Sequence, residues 1–557
     1  MKKLCVLLAV FSLVLAGCAA LPTSGPVYVT AKPSASNGKV GFKAQSPSEN
    51  ATPEEIVQGF LAASAVGFSN DFSVAREFLT QSVASKWNPR VQVRIYPDVD
   101  NQSFSRAKSG AVRFTASASA TLDTDGEYQS SAPDSTIVSE FSLVKNAQNQ
   151  WRIAALDDGV MMPESLFSSI FRSVSVYFLS LNSDALVPVV YYFPEDRAAT
   201  SALSALLSGP PSWLAGAVKS ALPKGTALAT PQVDVVDQVA RVSLTAEAAG
   251  LHDAELGLMA AQVNATLKGL GGISEVQVSS GGAELDMSAS ADVPVYPYGQ
   301  YPLLGMANNE IHERGVRDSG SIAFAVDPAL KLTHLAQTYD PHGPVIALGN
   351  GSHSVYSISQ SGAAHLLMNS RSSLVAPSTD RRGYVWSGAI KSDGKILATP
   401  VRGGPVMSFA VSALAGTEVI GVRVSRDGTR MIIVANASGT PSVFVVGILR
   451  DANGVPLGFA DAAQMGVRLK AISDVAWVDA STLVMIGLEA GANDPALYSV
   501  PIFGPIRRLP GTFIPKSVTA GRGLDSVVVE TPDALLEFDS GAWRKITPVL
   551  TQPAFPG

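Results

Sequence analysis

The chain has 557 residues, 46% of them hydrophobic and 16% charged, with a net charge of -6. That is length for about three to four domains, each with apolar residues enough for a core. The net charge is negative and no block of Lys or Arg interrupts it, which argues against nucleic acid as a partner and against a polybasic membrane patch.

Lys2 and Lys3 form a basic start, and Leu4 to Ala16 is an apolar run broken only by Ser12. The run falls short of the roughly 20 apolar residues that span a bilayer and has the proportions of a signal-peptide core. It ends at Leu15-Ala16-Gly17-Cys18, which resembles the bacterial lipobox; an ordinary signal peptide followed by a chance cysteine is the alternative. The lipobox implies that residues 1–17 are removed and that Cys18 carries an S-diacylglyceryl group and an N-acyl chain. Two acyl chains hold a protein on a membrane stably, at about 0.8 kcal/mol per buried methylene. Cys5 is the only other cysteine and lies in the removed segment, so the mature chain has no disulfide. Residues 18–50, rich in Pro, Ser, Gly, Ala and Lys, read as a flexible tether.

Residues 51–165 read as an α+β domain. Thr52-Pro53-Glu54-Glu55 is a helix start with a capping box and proline in the first turn. Ile56, Phe60 and Ala63 follow at helical spacing, and a second helix is expected from Phe72 to Lys86. Strands are expected at Val91–Ile95, Val112–Thr115, Ile137–Leu143 and Trp151–Ile153. The order resembles the cone-shaped nuclear-transport-factor-like fold. Asp157-Asp158-Gly159 reads as a turn, since it lacks the alternating oxygen ligands of a calcium loop.

Residues 166–290 alternate strand and helix. Val174–Leu179 and Leu186–Tyr192 read as paired strands, and Ala198–Leu207 as a helix stopped by Ser208-Gly209-Pro210-Pro211. Strands are expected near Gln232–Val236, Val239–Leu244 and Glu275–Val278. Between the last two, Leu256, Ala260, Val263, Leu267 and Leu270 make one apolar stripe. The helix end at Leu206–Pro210, the turn Leu222-Pro223-Lys224-Gly225-Thr226 and the strand Val239–Leu244 together resemble the GerMN domain of sporulation and germination proteins. That resemblance implies an assembly or interaction module without catalytic residues.

From 296 to 557 short strands recur between turns, with Asp393-Gly394 and Asp427-Gly428 as hairpin turns. A pattern recurs three times: Val375–Ser378 before Tyr384–Trp386, Val422–Arg430 before Met431, and Ile472–Trp477 before Leu483–Met485. The spacing of about 50 residues predicts an all-β propeller of about five to six blades. A pair of β-sandwiches is the alternative. The Ser425–Arg430 run resembles the strand-turn of TolB-type propellers. Trp386 and Trp477 hold corresponding blade positions, which suits core packing.

The ordered parts together resemble the actinobacterial lipoprotein LpqB family: a lipobox, Leu21-Pro22-Thr23-Ser24-Gly25-Pro26-Val27 after it, a helix-first domain, a GerMN-like module and a terminal propeller. The resemblance implies a protein on the outer leaflet of the cytoplasmic membrane, facing the wall. It implies an accessory role toward the extracytoplasmic domain of a two-component sensor kinase, MtrB, with effects on wall metabolism and division.

Catalytic patterns are missing from the sequence. His252, His312, His334, His342, His353 and His365 make no zinc spacing, and no nucleophile elbow or phosphate loop occurs. His334, His342 and His353 fall in loops that can converge at a propeller mouth, although ordinary loop histidines are the simpler reading. The sequence therefore reads as non-enzymatic, with no catalytic, metal or cofactor site. A protein that binds or hydrolyses wall carbohydrate with its propeller face is the alternative.

Overall fold

The computed structural model describes residues 44–98, 102–295, 298–314, 322–390, 394–546 and 550–557. The signal peptide, Cys18, the tether up to Lys43 and Asp393 lie outside the described residues.

The ordered body begins earlier than residue 51. Ala44 packs against the first core, and the Asn50 N–H donates to Gln150 Oε1 at 2.7 Å. The capping box forms: Glu55 N–H donates to Thr52 Oγ1 (3.3 Å) and Thr52 N–H to Glu55 Oε2 (2.7 Å), opening the helix Pro53–Ala65. Its Phe60 meets Trp87 and Phe141 edge-on, at 5.2 and 6.0 Å between ring centroids. The single helix expected over 72–86 is instead two short turns, Ser73–Arg76 and Gln81–Ala84. Phe72 takes left-handed backbone (φ +61°) and buries its ring. Between the turns the chain pairs with a strand: Ile153 N–H donates to Phe78 O and Thr80 N–H to Ile153 O, both at 2.9 Å. Backbone groups used in that pairing cannot also close helical turns. Among the described residues two four-stranded sheets complete the domain, and four of their strands, Ser103–Arg106, Ala120–Asp123, Tyr128–Ser130 and Val160–Pro163, go beyond the sequence expectation.

In the second domain Phe171–Ser180 and Leu186–Pro194 form a long hairpin, and the helix Ala198–Ser208 ends at Gly209 with φ +88°. Val239–Leu244 runs parallel to Glu275–Ser280. A parallel pair needs a crossover, and the helix Asp253–Lys268 provides it. Ala260, Val263 and Leu267 are fully buried, with Leu256 and Leu270 half-buried at the ends of the stripe. The stripe also hides Gln262, which donates to Tyr177 O and accepts from Ala221 N–H, both at 2.8 Å, tying the helix to the hairpin.

Among the described residues the third domain is a ring of six antiparallel sheets. The first combines Leu303–Ala307, Glu310–Arg314 and Ile322–Ala325 with Thr551–Ala554, so strands from both ends of the region close the ring. The inner strands are Thr551–Ala554, Thr333–Gln337, Ser378–Thr379, Glu418–Val424, Ala471–Trp477 and Ser517–Ala520, each beside the next. Trp386 and Trp477 are buried; their indole N–H groups donate to Asp380 Oδ2 (2.7 Å) and Arg423 O (3.1 Å). A repeat not read from the sequence marks the turns that follow four inner strands. Asp340, Asp380, Asp427 and Asp479 each accept backbone N–H groups within their own turn.

The second domain and the propeller share one core. Val176, Phe178, Leu203 and Leu267 pack in a cluster continuous with Ile432, Val434, Trp477 and Tyr498. Across the seam Asp184 pairs with Arg382 at 2.8 Å, and Gly447 N–H donates to Trp213 O at 2.7 Å. A Cβ on Gly447 would lie 2.8 Å from Ala217 Cβ and 3.0 Å from Trp213 O. Neither atom is the end of a flexible side chain, so Gly447→Ala is expected to destabilise the seam by about 1–3 kcal/mol. Urea unfolding checks this, and an unchanged midpoint would show that the seam can move apart at no cost.

Candidate functional site: the mouth of the propeller channel

The mouth is made by the inner strands themselves. Against their neighbours, Thr333–Gln337, Glu418–Val424 and Ala471–Trp477 each carry one extra residue, His334, Ile420 and Ser473. Thr551–Ala554 also breaks register, between the partners of Leu304 and Met306. A bulge re-aims the side chains around it. Here the three extra residues line one recess of about 250 Å³ at the start of the inner strands. His334 and Gln552 are left-handed, at φ +49° and +54°, and His334 N–H donates to Gln552 Oε1 at 2.7 Å. Strained backbone of this kind persists only where its surroundings hold it, and it clusters at functional sites.

Apolar side chains, among them Leu348, Leu374, Ile390 and Ile472, wall the recess. Its charged groups are Arg423, Asp474 and Lys516. Arg423 and Asp474 form a half-buried ion pair at 3.0 Å. Besides Arg423, Asp474 Oδ1 accepts Val475 N–H (2.9 Å) and its Oδ2 accepts Val518 N–H (2.9 Å). Glu530, buried beside the mouth, accepts from Ser517 Oγ (3.1 Å) and Gln552 N–H (2.9 Å). Its other oxygen lies 3.7 Å from the exposed Lys516 ammonium. The His334 side chain is reachable by water yet ringed by protein. That desolvation holds its pKa below the usual 6.5; Arg423 adds to the effect, while Asp474 and Glu530 oppose it.

Of the three histidines considered for a propeller mouth, His334 alone lines this one. His342 sits exposed on an Asp340 turn, its N–H donating to Asp340 Oδ1 (3.0 Å), and the His353 ring lies 3.1 Å from Ser370 O. Asp157-Asp158-Gly159 is a turn tied to its surroundings: Asp158 accepts from Asn88 N–H (2.8 Å), Asp157 from Ser139 (3.1 Å), and Gly159 has φ +94°. Among the described residues no group of three His, Cys, Asp or Glu side chains is placed to hold a metal, and no helix is long and apolar enough to cross a membrane. Sequence spacing does not announce the Arg423–Asp474 pair, because its members lie on different blades. Two wider grooves exist, about 890 Å³ along the exposed strand Asp234–Val236 and about 630 Å³ between the first two domains. On the second, burial and the nearby Asp123 and Asp125 raise the Glu127 pKa.

The domain order has counterparts. Residues 46–168 match the family "Lipoprotein LpqB, N-terminal domain", 175–286 the family "Sporulation and spore germination", and 323–556 the family "Lipoprotein LpqB beta-propeller domain". Lipoprotein LpqB of Cutibacterium acnes is 27% identical, with 97% of this chain and 96% of that protein aligned. The namesake of Streptomyces avermitilis is 26% identical (98% and 97% aligned), and that of Streptomyces coelicolor 28% (98% and 96%). A solved streptogramin B lyase overlaps 45% of this chain and 83% of its own at 12% identity and TM-score 0.31, too distant to inform the chemistry. With its domains matched in order and its relatives aligned almost end to end, the chain belongs to the LpqB family of lipoproteins.

Proposed function

We propose that this protein is a non-catalytic accessory lipoprotein, anchored through lipid on Cys18 to the outer leaflet of the cytoplasmic membrane. There it binds the extracytoplasmic domain of an MtrB-like sensor kinase and modulates wall metabolism and division. The observation that carries the reading is mechanical. Residues 44–557 form one compact unit, with a core running unbroken from the second domain into the propeller. Such a body presents a fixed surface rather than hinged modules. The kinase as partner rests on the family resemblance, and the benefit of anchoring rests on physics. Confinement to one membrane raises the effective concentration of two proteins to about the millimolar range for short flexible linkers, so a weak contact suffices.

Cys18→Ala is expected to abolish labelling by a fatty-acid probe and release the protein from the membrane fraction, while Cys5→Ser leaves both unchanged. At matched abundance the anchored form is expected to alter phosphorylation of the cognate regulator far more than the released form, and in-cell crosslinking is expected to capture the kinase. Equal signalling from both forms would remove the argument for the tether. Hydrolysis of wall polymer by the purified protein, without any kinase crosslink, would replace this reading by an enzymatic one.

A further inference from the structure

We propose that the groove between the first two domains binds an organic cation, amine nitrogens carried on an aliphatic chain, either a free diamine or the lysine side chains of a peptide. The site stands apart from the kinase reading and is argued from charge and hydrogen-bonding capacity. One rim of the groove is the turn Asp123–Glu127, which puts three carboxylates on the lining. Asp123 spends Oδ1 on the turn itself, accepting Asp125 N–H (3.0 Å) and Glu127 N–H (2.9 Å). The exposed carboxylates of Asp125 and Glu127 make no hydrogen bond or ion pair with another described residue. Of the two arginines on the lining, Arg90 is held by Asp71 at 3.2 Å. The three acids therefore stand against Arg197, an excess of two negative charges. Burial, Asp123 and Asp125 all push the Glu127 pKa up, and no basic group opposes them. A cation removes that repulsion, whereas a neutral polyol leaves it in place.

Tyr191 is the second, independent observation. It lines the groove and is only 6% exposed, yet its hydroxyl makes no hydrogen bond with another described residue. Glu127, Asp125 and Asp123 add to burial in raising its pKa, so the hydroxyl lies in the same negative field. A buried hydroxyl without a partner is unusual, and a bound N–H group supplies one. Beside it the Phe193 ring lies near-parallel, 5.8 Å away at 15°, an apolar floor for methylene groups. Among the described residues no three acidic groups are placed to hold a metal. Spread carboxylates suit N–H groups spaced along a chain. The volume, about 630 Å³, lies within the roughly 300–1,000 Å³ of small-molecule sites. The rim is also fixed in place: Tyr192 N–H donates to Gly126 O at 2.8 Å, joining the turn to the second domain.

The test uses the full-length chain in non-ionic detergent, with cadaverine as probe, read by calorimetry and saturation-transfer NMR. Cadaverine is expected to bind and pentanediol, its neutral analogue, not to. E127Q is expected to weaken binding by about tenfold, the order for losing one charge-assisted hydrogen bond. D125N, on the exposed tip of the turn, is expected to weaken it in the same direction without touching a buried group. Y191F, which removes only the hydroxyl, is expected to cost about threefold, and E284Q, on another edge of the second domain, nothing. Cadaverine and N-acetyl-lysyl-lysinamide separate the sources: tighter binding of the first supports a free amine, of the second a peptide. Equal binding of diamine and diol, wild-type affinity in E127Q and D125N, wild-type affinity in Y191F, equal competition by calcium, or no binding of either amine at about 10 mM would each overturn the proposal.

Discussion

Replacing Arg430 by alanine is expected to cost about 3–5 kcal/mol, the range for removing one partner of a buried ion pair. Arg430 has no exposed side-chain surface. It donates to Asp427 Oδ2 (2.6 Å), to Ala480 O (2.7 Å) and across the domain seam to Pro188 O (3.1 Å), and its guanidinium lies 5.1 Å from the Trp477 ring centre. Alanine leaves two carbonyls and a carboxylate buried without this partner. The pH dependence separates this cause from simple loss of packing. Burial by itself raises the Asp427 pKa, but the Arg430 charge and hydrogen bonds from Thr429, Arg430 and Ser425 outweigh it and hold the group below its ordinary 3.8. The unfolded chain therefore takes up this proton at higher pH than the folded chain. The stabilisation is complete above the ordinary value and is lost as pH falls through the folded one. In the variant the burial is opposed only by the hydrogen bonds from Thr429 and Ser425, so the gap to wild type is expected to be widest near neutral pH and to narrow in acid. Urea midpoints from neutral pH downward check this; a gap independent of pH would assign the loss to packing alone.

Leu267→Asp is the second large effect. Leu267 is fully buried near the end of the crossover helix, within the core shared with the propeller. An aspartate there is buried without a partner and sits at the negative end of the helix dipole, so a loss of several kcal/mol, about 4 or more, is expected. Because the core is continuous, increased amide exchange is expected not only in Glu275–Ser280 but also in the propeller strand Arg430–Ala437. Leu270→Asp, at a half-buried position beyond the helix, is expected to be much milder. Exchange confined to the second domain would show that the two cores are energetically separate. An unchanged melting temperature for Leu267→Asp would refute the packing of the stripe.

What the sequence resolved was encoded over a few neighbouring residues. The capping box at Thr52, the stripe from Leu256 to Leu270, the helix stop at Gly209 and the Asp427-Gly428 turn each depend on groups within a turn or two of one another. Domain order and the blade repeat were legible for the same reason, as series of local patterns. The helix expected over 72–86 failed because Leu79 lies against Ile153, a partner 74 positions away. No local propensity records such a partner. Short strands such as Ser103–Arg106, largely exposed, were missed because they carry little alternating burial.

The candidate site was the least legible part. His334 stood out as a histidine and Ser425–Arg430 as a turn, but neither pattern names the neighbour that gives it a role. His334 meets Gln552 only once the ring closes, and Arg430 reaches Pro188 only once the propeller docks. By itself the sequence determined which segments are helix, strand or turn wherever periodicity and capping are satisfied within the segment. Tertiary structure decided the blade count, the bulges that shape the mouth, the charge pairs between blades and the shared core. These depend on which distant groups exclude water together, and backbone and charge settle into whatever pairing that exclusion leaves them.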